Sequence, residues 1–209
     1  MALDSVKLYA EPVDVKRKVL DASLAFIAQE GPDALSMREV ARRAGISHQA
    51  PYHYFGDRAG IFSAITEEGF RMLTGAFREV LASSSHPSRG CFEQYVNLAR
   101  THPGHFRVMF RADICGLGKD VAASNAADES FGELLKMVDR ITGGPVSESS
   151  RYAWASLMWS TAHGLATLLL DGPLLIKVPK SIDSERHIED VITLMTEMVD
   201  RQAAVLSAG

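Results

Sequence analysis

The sequence predicts an all-α protein. Apolar residues recur at helical spacing in one segment after another, and short stretches rich in Gly, Pro and Ser separate these segments. We find no run with the apolar–polar alternation of a strand. A chain of 209 residues with 46% hydrophobic content is long enough for one or two domains with a sizeable core.

The first helix is predicted over residues 13–29. Val19, Ala22 and Phe26 lie on its apolar stripe, and the Gly-Pro pair at 31–32 marks its end. This helix should supply one side of a small N-terminal core.

Residues 36–55 carry the strongest local pattern in the chain. Ser36 is placed to cap a short helix, and Gly45 is suited to the left-handed position after it. Ser47 is then predicted to cap a second helix over 48–54. Two short helices joined by a turn that contains Gly predict a helix-turn-helix motif.

The second helix of this motif begins with hydrogen-bonding side chains, as a helix that reads DNA bases does. Gln49 can pair with adenine in the major groove, and the Ala50 methyl can contact a thymine methyl. Tyr52 and His53 can donate to phosphates. The helix-turn-helix pattern alone also occurs in proteins that do not bind DNA. The predicted DNA-binding residues are Ser36, Met37, Arg38, Ser47, His48, Gln49, Ala50, Tyr52, His53 and Arg58.

The residues AGIS at 44–47, followed by YHYF at 52–55 and Arg58, resemble the DNA-binding domain of TetR-like transcriptional regulators. Pro51 stands where that family usually has Leu, and Arg58 where it usually has Lys. One branch of the family carries Ser-His-x-Ala-Pro-Tyr, which matches residues 47–52. Trp159, followed after three residues by His163-Gly164, is similar to the C-terminal domain of the same branch.

Charge is unevenly distributed along the chain. The net charge is −4, yet residues 36–58 hold four Lys/Arg against two Asp/Glu, whereas residues 59–209 hold fourteen against eighteen. A locally basic end on an acidic body favours docking of that end on DNA and disfavours non-specific contact by the body.

The rest of the chain is predicted to be helical. A long helix should begin at residue 58 with Asp57 as its N-cap and join the two parts of the protein. Residues 83–90 are predicted to form a loop from their Ser, Pro and Gly content. Further helices are predicted over 91–100, 103–110, 119–141, 147–170 and 184–206.

Tyr, His and Thr side chains are concentrated among aromatic residues in the C-terminal part, which predicts a pocket for a small molecule. No Lys or Arg stands on the predicted walls, so we expect an uncharged or weakly charged, largely apolar effector. A buried His on an apolar helix is equally often an ordinary core residue, and that alternative stays open here. The predicted effector-binding residues are Tyr95, Phe106, Met109, Phe110, Trp159, His163 and Thr167.

The last two predicted helices carry more apolar surface than one core-facing stripe needs. Paired with the same helices of a second copy, they would form a four-helix interface with two-fold symmetry. The apolar residues that suggest it are Trp154, Leu157, Met158, Leu165, Leu168 and Leu169 on one helix and Met195, Met198 and Val199 on the other.

The sequence contains no nucleophile elbow, phosphate-binding glycine loop or zinc-protease motif, so we expect neither an enzyme nor a cofactor. His102 and His105 lack neighbouring residues that would complete a metal site. Cys91 and Cys115 fit free thiols in a reducing cytosol. With no signal peptide and no run of membrane-spanning length, we expect a cytoplasmic protein that does not associate with membranes.

Together these features predict two domains. Residues 13–73 would be a three-helix helix-turn-helix domain that binds double-stranded operator DNA, and residues 74–209 a helical bundle that binds an effector and forms a homodimer. The resemblance implies a transcriptional regulator, most simply a repressor. Two other classes stay open: an architectural DNA-binding protein without an effector, and an enzyme with a vestigial helix-turn-helix.

Overall fold

The computed structural model describes residues 12–144 and 146–207, and within these residues it is helical with no strand. This confirms the predicted all-α class. No helix in the described ranges is both long and apolar enough to cross a membrane. The helices are α1 (Pro12–Glu30), α2 (Met37–Ala44), α3 (Ala50–Phe55), α4 (Arg58–Ser83), α5 (Pro87–Thr101), α6 (Pro103–Met109), α7 (Val121–Ile141), α8 (Glu148–Leu170), α9 (Pro173–Lys177) and α10 (Ser184–Ser207).

The N-terminal helices α1, α2 and α3 pack around the start of α4. Val19, Ile27, Val40, Ile61 and Phe62 are almost completely buried there. Each such side chain contributes about 1.5–3 kcal/mol by leaving water, and this burial orients the short α2 and α3, which are too short to be stable alone.

Three predicted caps are confirmed. The Ser36 hydroxyl accepts a hydrogen bond from the Glu39 backbone N–H at 3.3 Å, and Gly45 adopts the left-handed conformation with φ 65°. The Asp57 carboxylate caps α4 by accepting from the Gly60 N–H at 2.9 Å.

The predicted start of the second helix-turn-helix helix is wrong. α3 begins at Ala50, its N-cap position is Gln49, and no side chain caps it. Ser47 receives the Ala50 N–H on its backbone carbonyl at 3.1 Å instead of using its hydroxyl. Pro51, which lacks an N–H and favours the first turn of a helix, sets this later start.

The predicted loop at 83–90 is too long, because α4 continues to Ser83 and α5 already begins at Pro87, which leaves a connection over 84–86. Pro is favourable at a first helical position, so its presence marked a start and not a break. Gly90 lets α5 lie close to α4, since a Cβ there would be 2.6 Å from a Val80 methyl. The five-residue α9 was not predicted, being too short to show a helical period.

The remaining helices form the body of the protein. α4 packs along α7, and α5 packs on α8 and α10. The buried residues of the body are separate from those of the N-terminal part, and the change occurs within α4 between Ile65 and Phe70. The predicted domain boundary at residue 73 therefore falls inside a continuous helix.

The apolar residues predicted for a dimer interface divide into a buried and an exposed group, with Leu169 and Met195 half-buried between them. Trp154, Met158, Leu165 and Val199 are buried in the body's own core, which removes them from any interface. Leu157, Leu168 and Met198 are exposed, and Leu194 and Val205 join them on α10. The helical period alone could not separate these two faces because both are apolar.

Candidate DNA-binding and effector-binding sites

The predicted DNA-reading residues lie together at one surface of the N-terminal part. Ser47, His48, Gln49 and His53 are exposed around α3, and the Tyr52 side chain is 51% exposed although it is aromatic. Ala50 is half-buried. This arrangement leaves hydrogen-bonding groups directed away from the core at the first turn of the helix.

On α2, Arg38 is exposed and has no ion-pair partner among the described residues. Arg42 and Arg43 differ, because both hydrogen bond to Glu39 and thereby lower the pKa of its carboxyl to about 2. Met37 is only 7% exposed and packs in the core, so only its backbone remains for DNA. Ser36 is exposed beside Arg38.

Arg58 has a contact that the sequence did not suggest. Its Nη1 group donates to the backbone carbonyls of Asp33 at 3.1 Å and Leu35 at 3.3 Å, and its guanidinium lies 5.3 Å from the centre of the Phe62 ring. The side chain thus ties the start of α4 to the turn before α2.

A cavity of about 490 Å³ lies in the body between α4, α5, α7 and α8. This volume is in the range of pockets that hold small ligands. The predicted residues that line it are Tyr95, Met109, Phe110, Trp159 and His163.

Two predicted effector-binding residues do not line the cavity. Phe106 is 4% exposed and stacks against His163, with ring centres 5.3 Å apart, so it supports the wall from behind. Thr167 lies one turn beyond His163 on α8, past the end of the cavity. The sequence placed Phe106 and Thr167 on helices that do line the cavity, but it could not show that these two side chains lie outside the lining.

Three polar side chains of the cavity form a hydrogen-bonded chain. The Trp159 Nε1–H donates to the Tyr95 hydroxyl oxygen at 3.1 Å, and that oxygen is 2.9 Å from His163 Nδ1. Burial raises the pKa of Tyr95 and lowers that of His163, so both are neutral near pH 7. The Tyr95 hydroxyl and His163 Nδ1 thus share a hydrogen bond, and His163 Nε2 has no hydrogen-bond partner among the described residues.

Residues of α4 and α7 complete the cavity, and the sequence did not identify them. Their helical spacing is that of an ordinary core stripe, so no local signal separates them from core residues. Cys91 also lines the cavity, and burial raises the pKa of its thiol to about 12, which keeps it protonated. The additional α4 and α7 residues are Phe70, Leu73, Phe77, Ala127, Asp128, Ser130, Phe131, Leu134 and Met137.

The helix α6 belongs to both parts of the protein. Val108 packs in the N-terminal core, while Met109 packs in the body core and lines the cavity. Gly104 allows α6 to lie directly on α1, since a Cβ there would be 2.6 Å from the Leu24 carbonyl oxygen. A displacement of α6 would therefore also displace α1.

Ion pairs reinforce the same junction. The His105 Nε2–H donates to Glu68 at 3.1 Å, and Arg17 of α1 donates to the other Glu68 oxygen at 2.7 Å. Burial raises the pKa of Glu68, but these hydrogen bonds outweigh it and hold that pKa below its usual value. Arg111, just after α6, pairs with Asp33 in the turn before α2 at 3.0 Å.

Comparisons with known proteins agree with this arrangement. Residues 19–65 match the family model of bacterial regulatory proteins of the tetR family, and residues 88–195 match the tetracyclin repressor-like C-terminal domain. The chain is similar to the HTH-type transcriptional regulator BetI of Cronobacter sakazakii, with 26% identity over 90% of this chain and 91% of that protein. The branch expected from Trp159 and His163 stays a prediction.

Two solved structures share the fold. One is a protein of unknown function from Rhodococcus sp. RHA1, with TM-score 0.73 and 25% identity, over 95% of this chain and 98% of that one. The other is the fatty acid degradation regulator FadR from Bacillus halodurans, with TM-score 0.68 and 12% identity, over 87% of this chain and 94% of that one. At that identity the second likeness concerns the fold alone.

Proposed function

Because the chain belongs to the TetR family of DNA-binding transcriptional regulators, we propose that it is a repressor that binds a near-palindromic operator as a homodimer and is released by a small, largely apolar effector. The family consists of regulators and not of enzymes, so the catalytic alternative is set aside. The observation that carries the proposal is α6, which contributes Met109 to the cavity wall and Val108 to the core of the DNA-binding part.

The cavity and the DNA-reading surface are coupled through this helix. An effector that fits the cavity better after α6 has moved favours that position of α6, and α1 moves with it through the close Gly104 contact and the Arg17–Glu68–His105 chain. Converting nearly all molecules from the DNA-binding to the released state needs about 5.5 kcal/mol of differential effector affinity. Apolar burial contributes to this difference only where the released state buries more of the effector than the DNA-binding state does.

The exposed apolar residues of α8 and α10 support the homodimer. Leu157 and Leu168 on α8, and Leu194, Met198 and Val205 on α10, are each 45% or more exposed. On both helices they follow one helical stripe. A second copy that covers these stripes would place two recognition helices about 34 Å apart, one turn of DNA.

The test begins with genome fragments of the parent organism selected by the purified protein. Fluorescence anisotropy of a selected fragment then reports DNA affinity while a library of small apolar compounds is added. We expect at least one compound both to raise the melting temperature of the protein and to weaken DNA binding. Compounds that raise the melting temperature yet leave DNA affinity unchanged would favour the effector-independent architectural alternative, and compounds that tighten binding would contradict release.

A further inference from the structure

The mouth of the cavity is formed by the exposed lining residues Ala112, Leu117, Asp128 and Trp159. Asp128 is the one acidic residue among those that line the described cavity, and no Lys or Arg of the described residues lines it. Among the lining residues, the charge at the mouth is therefore negative.

The Asp128 carboxylate has no ion-pair or hydrogen-bond partner among the described residues. Its neighbours on α7 are paired: Glu129 with Arg78 at 2.5 Å, and Glu133 with Arg78 at 2.8 Å and with Lys136 at 3.0 Å. Neither of these two carboxylates lines the cavity. Asp128 is thus unpaired at the mouth of the cavity, whereas Glu129, the next residue, is paired and lies outside the cavity.

Aromatic rings lie beside this carboxylate. Phe131 is one helical turn after Asp128, so the two side chains share a face of α7. The Phe131 ring centre is 6.3 Å from that of Trp159, which in turn is 6.0 Å from Phe110. Aromatic faces attract cations electrostatically, and a carboxylate beside them adds to that attraction.

Resting on the proposed effector role of this cavity, we propose that its ligands are lipophilic cations, with an apolar body held among the aromatic and Met side chains and a positively charged nitrogen at the mouth beside Asp128, Phe131 and Trp159. The neutral polar groups deeper in the cavity do not oppose this orientation, because His163 and Tyr95 are uncharged. A carboxylate or sulfate head group at the mouth would instead meet Asp128 without a compensating cation.

Three probes of equal chain length separate charge from apolar burial: decyltrimethylammonium and decanoate, each below its micellar concentration, and decanol below its solubility limit. Isothermal titration calorimetry on the full chain gives the affinities, and emission of Trp159 in a Trp154→Phe background reports occupancy of the cavity. We expect the ammonium probe to bind about tenfold more tightly than decanol, and decanoate to bind least.

Asp128→Asn should remove the preference for the ammonium probe, an effect of about tenfold or 1.4 kcal/mol, and leave decanol affinity and melting temperature unchanged. Glu129→Gln is the matched control and should retain the preference. Equal binding of all three probes overturns the cationic class, and an unchanged ammonium preference in Asp128→Asn overturns the placement of the charged nitrogen beside Asp128; either result leaves the effector cavity in place. If no probe binds, the cationic class fails, and the compound library tested against operator binding decides separately whether the cavity is an effector site.

Discussion

At the scale of single residues, Gln49 is the clearest candidate for reading a base. Its amide is exposed in the turn that opens α3, and a side-chain amide pairs with adenine through two hydrogen bonds. We expect Gln49→Ala to weaken binding to the preferred operator by about 1–3 kcal/mol and to flatten discrimination at one base position. Asn125→Ala removes an exposed amide from α7 and should change neither. Unchanged discrimination in Gln49→Ala would exclude base reading by this residue.

Arg38→Ala and Arg58→Ala should have different effects, the first on DNA affinity and the second on stability. Arg38 has no ion-pair partner among the described residues, so Arg38→Ala should weaken binding to all DNA sequences and reduce the salt slope by about one unit, with no loss of melting temperature. Arg58→Ala removes two hydrogen bonds to backbone carbonyls and should first lower stability, by about 1–3 kcal/mol. Thermal melts and salt titrations of both variants separate the two effects. If Arg58→Ala melts as the parent does and has a reduced salt dependence of DNA binding, the prediction that Arg58 contacts DNA is supported.

At the scale of the element, the two phenylalanines of the α6 region have distinct roles. Phe106 is packed against His163 behind the cavity wall, whereas Phe110 lines the cavity. Phe106→Ala should cost about 3–5 kcal/mol of unfolding free energy because it creates a void in packed surroundings. Phe110→Ala should cost less and should instead reduce ligand affinity, since it enlarges a cavity that already exists. Chemical denaturation and ligand titration on each variant test this, and a Phe106→Ala protein that is stable but impaired in ligand binding would reverse the assignment.

The same helix makes stability depend on pH through His105. Burial lowers the pKa of His105, and its hydrogen bond to Glu68 offsets this only in part. A lowered pKa means that the unfolded chain takes up the proton more readily, so stability is retained above the ordinary pKa near 6.5 and falls as the pH decreases below it. His163 shifts in the same direction.

We therefore expect the melting temperature to fall between pH 7.5 and pH 5.5, and His105→Gln to reduce this dependence while it keeps a donor for Glu68. His86→Gln, at an exposed position in the α4–α5 connection, is the control and should follow the parent curve. A His105→Gln curve parallel to the parent would show that protonation of His105 does not limit stability.

How far the sequence predicts an element depends on whether its signal is local. The starts of α2 and α4 follow from the caps Ser36 and Asp57, and these predictions are confirmed by hydrogen bonds within three residues. The start of α3 was misplaced because Pro51 outweighed the capping residue before it. Tyr95 and His163 were identified as cavity residues because polar side chains are uncommon in a core. Asp128 was not identified as a cavity residue, because in the sequence it looks like any acidic residue on the solvent-exposed face of a helix.

At the scale of the whole molecule, the N-terminal part and the body differ in charge and are connected by side-chain packing. The net negative charge of the body disfavours DNA, whereas the predicted DNA-reading groups are exposed around α3 in the N-terminal part. Between them, α6 and the Arg111–Asp33 pair connect the cavity to the turn before α2. Because a single copy holds one helix-turn-helix, the proposed homodimer would set the spacing of two recognition helices through contact between copies.

The final prediction concerns that contact. Met198 is 71% exposed on α10 and Leu157 is 53% exposed on α8, so a charge at either position is harmless to a monomer but would be desolvated in an interface. An interface of standard size buries about 800 Å² on each partner, enough for both stripes to be covered. We expect Met198→Glu and Leu157→Glu to sediment as monomers at micromolar concentration and to lose tight operator binding, with little change in helical content.

Val121→Glu is the matched control, since Val121 is 74% exposed at the start of α7, away from the α8 and α10 stripes. It should remain dimeric and bind the operator as the parent does. If Met198→Glu and Leu157→Glu both remain dimeric, the copies meet through another surface, and the spacing of the recognition helices must be set there. If the parent itself sediments as a monomer at every concentration, the two-fold operator model is excluded, because one helix-turn-helix can occupy only one half-site.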